Sequence, residues 1–188
     1  MHGAVVQYSD RSLFEADLYS STSFDFEYFP AGITVEYGDT VPFGEAIVGS
    51  TFNTGVFSTG LFGAPSVQVG SLNRGGLYVS LLPGHNAIGM DIGALLGPST
   101  FSYRLALSSG PDVLGSIAVS DNDDLGLPGG TFFGYVSDSA EIVRLQFQGA
   151  ELDFEVIDNL TYGTTIPEPT CGVLSLLALV VIGRRRRS

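Results

Sequence analysis

The chain has 188 residues, 20 acidic against eight basic, and a formal net charge of −12. That balance excludes a nucleic-acid-binding protein, which needs a positive surface to displace counterions from phosphate. A hydrophobic fraction of 44% excludes a disordered chain, and the length leaves room for one domain with a sizeable core.

The opening, Met1-His2-Gly3-Ala4-Val5-Val6-Gln7-Tyr8, has neither the basic start nor the apolar stretch of ~7–15 residues that marks a secretory signal peptide. Ser12-Leu13-Phe14-Glu15 fits a capping box and predicts one short helix near residues 12–18. From there the period is two. Phe24, Phe26 and Tyr28 alternate with Asp25 and Glu27, and Ile33 to Tyr37 reads likewise before Gly38-Asp39 turns the chain. Weaker strand signals fall at Ala46–Thr51 and Ser66–Val69. Stronger ones follow at Leu77–Leu82, closed by Pro83-Gly84, and at Ala87–Ile92 and Phe101–Leu107. Val113–Val119, Thr131–Val136, Ile142–Phe147 and Leu152–Tyr162 complete the set. About ten short strands between Gly, Pro, Asn and Asp turns predict an all-β, antiparallel β-sandwich over residues 1–163.

Residues 164–170 form a linker containing Pro167-Glu168-Pro169, and residues 171–188 are an uncharged run ending in Arg184-Arg185-Arg186-Arg187. As a helix, Cys171 to Gly183 spans about 20 Å against ~30 Å of hydrocarbon, so length alone fits a buried core helix. The run has no polar face, however, and snorkelling arginines extend its reach. We therefore expect a short transmembrane helix with the arginines on the cytoplasmic side and the body across the membrane. Cys171, the only cysteine, reads as a small apolar residue of that helix, which leaves the body without a disulfide.

Pro-Glu-Pro, a short apolar helix and a terminal arginine cluster, in that order, resemble the PEP-CTERM sorting signal of bacteria. The resemblance covers about 22 residues and matches Pro167, Glu168, Pro169 and Arg184 to Arg187. It implies an exosortase-type membrane transpeptidase as partner, processing near Pro-Glu-Pro, and release of the body to the cell surface or exopolysaccharide. Substrates of this kind start with a signal peptide, so the expected true start lies upstream of Met1; a removed N-terminus or loss of export are the alternatives. Phe24-Asp25-Phe26-Glu27, Phe132 to Tyr135, Ile142 to Phe147 and Val156 to Gly163 are similar to the strands of lectin-like jelly rolls, which implies a jelly-roll body.

Chemistry-bearing residues are few. Of two histidines, His85 in a Pro-Gly-His-Asn turn is the one available base; no Gly-x-Ser-x-Gly elbow accompanies it and no histidine pair has zinc spacing. His85 therefore reads as a polar loop residue. A carboxylate pair for glycoside cleavage remains the enzymatic alternative. Calcium is the candidate cofactor. Asp121 and Asp123 occupy the first and third places of a calcium loop, but Leu125 and Phe132 fail its fifth and twelfth. In jelly-roll modules calcium joins the first and last strands, which here implies Asp25, Glu27 and Asp158, carboxylates set among apolar residues where an unpaired charge is costly. Tyr78, Tyr103 and Tyr135 lie on strands and read as packing residues, and Asn159-Leu160-Thr161 is formally a sequon. The expectation is a non-enzymatic, exported, surface- or exopolysaccharide-associated structural or binding protein, with a secreted carbohydrate-active enzyme or an unprocessed tail-anchored envelope protein as the alternatives.

Overall fold

Apolar and polar residues alternate through most of the body. In a computed structural model this alternation folds as two sheets packed face to face. Residues 4–27, 34–35, 40–51, 53–59, 66–72, 76–94, 99–119, 130–138, 140–149 and 155–165 are described. In chain order the elements are β1 Val5–Tyr8, α1 Arg11–Ala16, β2 Leu18–Phe24, β3 Thr34–Val35, β4 Thr40–Phe43, β5 Ala46–Ser50, β6 Asn53–Thr59, β7 Ser66–Leu72, β8 Leu77–Leu81, β9 Ala87–Ala94, β10 Ser99–Leu107, β11 Val113–Val119, β12 Thr131–Ser137, β13 Ile142–Gln148 and β14 Glu155–Thr165. Among the described residues, eight strands form one sheet in the order β1-β12-β9-β14-β7-β6-β3, with β2 also paired to β14. Six form the other, β11-β10-β13-β8-β5-β4. The pairings are antiparallel throughout the described residues. From β7 onward the chain crosses repeatedly between the sheets, the winding of a jelly roll.

Period two decides which side chains meet between the sheets. Leu77, Val79 and Leu81 of β8 and Phe101, Tyr103 and Leu105 of β10 point inward from the six-stranded sheet. Ile88, Met90, Ile92, Phe133, Tyr135, Ile157, Leu160 and Tyr162 face them from the other. Phe133 is the hub, with ring centroids 4.9 Å from Tyr103 and Tyr135 and 5.5 Å from Phe147. Burial, and then the hydrogen bond to Tyr103, push the Tyr135 hydroxyl far above its ordinary range.

β9 and β14, the central strands of the larger sheet, are buried on nearly every residue, whereas β1 and β2 of the same sheet are largely exposed. On its outer face α1 seals a second, smaller core of Phe14, Ala87 and Val136, flanked by Tyr8, Leu18 and Phe132. The Phe14 ring lies where side chains at Gly89 and Gly134 would stand. A Cβ there would come within 2.8 and 2.9 Å of it.

The helix differs from expectation in place and cap. It runs from Arg11 to Ala16 rather than over 12–18, and Asp10, not Ser12, accepts the capping bond, from Leu13 N at 3.1 Å. Asp is an equally good cap and sits two residues earlier; Leu18 is then free to begin β2. The strand read through Phe24, Phe26 and Tyr28 ends at Phe24. Asp25 Oδ1 accepts from Glu27 N at 3.3 Å, Phe26 takes φ 59°, and its ring drops into the core, 4.6 Å from Phe43. β1, β4 and β6 carry no strong signal in the sequence. Tyr28, Ile33, residues 36–39 and 121–129, and the segment from 166 to 188 lie outside the described residues. Among the described residues no helix is long and apolar enough to cross a membrane.

Candidate functional site

The two sheets turn very different outer faces to their surroundings. On the larger one Arg11, in the first turn of α1, reaches down to the strands. Its guanidinium contacts Asp91 Oδ1 at 3.1 Å, donates to Asn159 O at 3.1 Å and Thr161 Oγ1 at 3.2 Å, and lies 4.6 Å from the Phe132 ring centroid. Glu15, one turn on, adds a contact at 3.6 Å. Asp91 and Asp158 are cross-strand partners on β9 and β14, where like charges destabilise each other. The register slips between Asp158 and Thr161, Asn159 takes φ 49°, and its Nδ2 donates to Asp91 Oδ2 at 2.8 Å. This carboxylate pair is therefore engaged by Arg11 and Asn159 beneath a helix, and Asp158 is buried.

The outer face of the six-stranded sheet carries a different set. Alternate residues Thr100, Ser102 and Arg104 of β10, Ser116 and Ala118 of β11, and Arg144 and Gln148 of β13 are exposed, and Tyr78, Ser80 and Gln146 are half-buried among them. Register places Ser102 opposite Gln148, Arg104 opposite Gln146, and Arg144 opposite Ser80. None of the six strands contains an Asp or Glu.

Arg104 is paired at the edge, its Nη2 2.5 Å from Asp112 Oδ2. Arg144 is held without an acid. Its Nε donates to Ser80 Oγ at 2.9 Å and its guanidinium lies 4.4 Å from the Tyr78 ring centroid. The ring leans across β5 over Gly49, whose Cβ, if present, would stand 2.5 Å from the Tyr78 hydroxyl. A bulge on β13, with Ala106 opposite Arg144 and Leu107 opposite Ile142, leaves Val143 and Arg144 side by side and exposed.

The residues singled out in the sequence fall elsewhere. β2 does pair with β14, Phe24 opposite Leu160, so opening and closing strands are neighbours. Asp25 and Glu27 are nonetheless exposed in their own turn, while Asp158 is buried and accepts from Asn159 N at 2.7 Å. Among the described residues no three His, Cys, Asp or Glu side chains come together as a metal site. Asp121, Asp123, Pro167 to Pro169 and Arg184 to Arg187 lie outside the described residues. His85 lies in the loop between β8 and β9, as its sequence predicts, and joins neighbouring elements there. Its Nε2 is 2.8 Å from Glu45 Oε2 and its ring stands 4.9 Å from Tyr162. Next to it Asn86 bonds Ser137 O and Thr165 Oγ1, each at 2.8 Å, and accepts from Thr165 N at 2.9 Å, tying the end of β14. Tyr103 and Tyr135 are buried in the core, as their strand positions predict; Tyr78 packs on the sheet face. Sequence reading missed the Arg144–Tyr78 pair, although acid-free strands in so acidic a chain were a visible signal.

No family model matches the chain, and no curated protein matches it. Among solved structures it is similar to TmCBM61 in complex with β-1,4-galactotriose, with a TM-score of 0.35 and 8% identity over 65% of this chain and 90% of that one. It is also similar to the family 11 carbohydrate-binding module of the cellulosomal cellulase Lic26A-Cel5E of Clostridium thermocellum, with a TM-score of 0.35 and 14% identity over 80% of this chain and 98% of that one. At so low a similarity, the chemistry of the site rests on this chain's own residues.

Proposed function

We propose that this is a non-catalytic, exported polysaccharide-associated protein, delivered by its C-terminal sorting segment and acting at the cell surface or in the exopolysaccharide. The observation that carries the binding part is the outer face of the six-stranded sheet. There, rows of Ser, Thr, Gln and Arg side chains stand exposed or half-buried beside a tyrosine, on strands free of acids. Such a row offers donors and acceptors at the strand spacing of ~4.7–4.9 Å, which suits the hydroxyls of an extended glycan. The delivery part rests on the order Pro167-Glu168-Pro169, apolar run, Arg184 to Arg187. In this reading an exosortase-type transpeptidase in the membrane cuts near Pro-Glu-Pro, and the C-terminal helix anchors the chain only until then.

Two measurements test the two parts. Mass spectrometry of the protein recovered from its native cell surface is expected to show a C-terminus near Pro167 to Pro169; an intact chain ending at Ser188 refutes the sorting reading. Affinity electrophoresis of the full-length chain through gels containing extracellular polysaccharide is expected to show retardation, and free migration through every polysaccharide tried refutes the binding reading.

A further inference from the structure

We infer that the six-stranded face recognises an acidic polysaccharide, with Arg144 seated on Tyr78 receiving a sugar carboxylate. This deepens the polysaccharide reading above and rests on it.

The warrant is where the chain puts its charges. Residues 1–166 hold 19 acids and four arginines, yet the strands of this sheet hold two of those arginines and no acid. Arg11, on the other face, is matched by Asp91 and Glu15, and Arg104 by Asp112. Arg144 has no carboxylate within ion-pair reach among the described residues; its one hydrogen bond there uses Nε, to Ser80. The Tyr78 ring fixes the guanidinium plane, and Gly49 makes room for the ring. A guanidinium already oriented, with both η nitrogens uncommitted among the described residues, matches the two oxygens of a carboxylate in a bidentate fork. Arg104 stands diagonally across the β10–β13 pair, roughly 7–8 Å away. Gln146 and Ser102 lie beside the arginines for ring hydroxyls. A neutral glycan would use these amides and hydroxyls and give the unmatched charge of Arg144 no role. The net charge of −12 repels polyanions at long range, so an acidic chain must be held by this local site.

The test is affinity electrophoresis of the full-length chain in nonionic detergent. Separate gels carry polygalacturonate, its fully methyl-esterified form, or a neutral β-glucan. Polygalacturonate is expected to retard the protein at least tenfold more strongly than the ester. Arg144→Ala should abolish that preference. Arg144→Lys should lose most of it, because an ammonium keeps the charge and loses the fork. Melting midpoints of both variants, measured alongside, should match the parent because Arg144 is exposed. Equal retardation by acid and ester, or a preference that survives Arg144→Ala, overturns the carboxylate site and leaves polysaccharide binding standing. Free migration through all three gels overturns both.

Discussion

The two outer faces of this sandwich solve the same problem in opposite ways. The larger sheet closes the middle of its outer face with its own chain: α1 lies on it, Phe14 fills the space left by Gly89 and Gly134, and Arg11 matches the carboxylate of Asp91. The smaller sheet leaves its face open and leaves a cation on it unmatched by any described acid. What distinguishes them is where charge is neutralised. On the covered face the chain supplies the counter-charge, so the arrangement contributes to stability. On the open face the counter-charge is left to a partner, so the arrangement contributes little to folding and is available for recognition.

The sharpest way to break this contrast is to empty the covered face. Phe14→Ala removes a fully buried ring over two glycines and is expected to cost about 3–5 kcal/mol, read as a shift of the denaturant midpoint at constant slope. On the open face Leu114, 72% exposed, is the matched control. Leu114→Ser is expected to change stability by no more than about 0.5 kcal/mol. Comparable losses at the two positions would mean that the six-stranded face is also packed against something, and the contrast would fail.

Arg11→Ala comes next. It leaves Asp91 beside Asp158 without its cation, but the ion pair is about a quarter exposed on each side, at 27% and 22%, so solvent softens the loss to about 1–2 kcal/mol. Arg11→Lys should recover less than half, since an ammonium cannot reach Asp91, Asn159 O and Thr161 together. Full recovery by lysine would make Arg11 a mere point charge.

Much of this fold is legible because period two is a local signal. Leu77–Leu81, Phe101–Leu107, Val113–Val119 and Ile142–Phe147 declare both strand and buried face within a few residues. The helix was displaced because Asp10 and Ser12 are both competent caps, and Leu18 prefers its place in β2 beside β14. Phe26 broke the alternation because the turn at Asp25 let its ring into the core by another route. The site was hidden for a different reason. Arg144 and Tyr78 meet only because β13 pairs with β8, and Arg11 and Asp91 only because α1 folds back over β9. Sheet order and register are non-local, and no pattern within either segment contains them. Asp25, Glu27 and Asp158 came forward as calcium ligands through the jelly-roll resemblance and their apolar neighbours in sequence. The arginines that matter stand out only once the strands are assigned to sheets.

The smallest expected effect tests how tightly the covered face is sealed at its rim. Tyr8 packs edge-on to Phe14, 5.8 Å between ring centroids, and its hydroxyl donates to Asp17. Burial, and then that bond to a carboxylate, raise its pKa from 10.0 to about 12. In the unfolded chain the phenol ionises first. Its contribution is therefore fully present below pH 10, is lost as pH rises, and is gone above pH 12. Tyr8→Phe keeps the ring and removes the titration. Thermal midpoints measured from pH 8 to pH 11 should fall more steeply for the parent than for the variant. The variant keeps a residual fall from Tyr135, which is raised in the same direction. Parallel curves would show that the Tyr8 hydroxyl faces water, and the covered face would then end at Phe14.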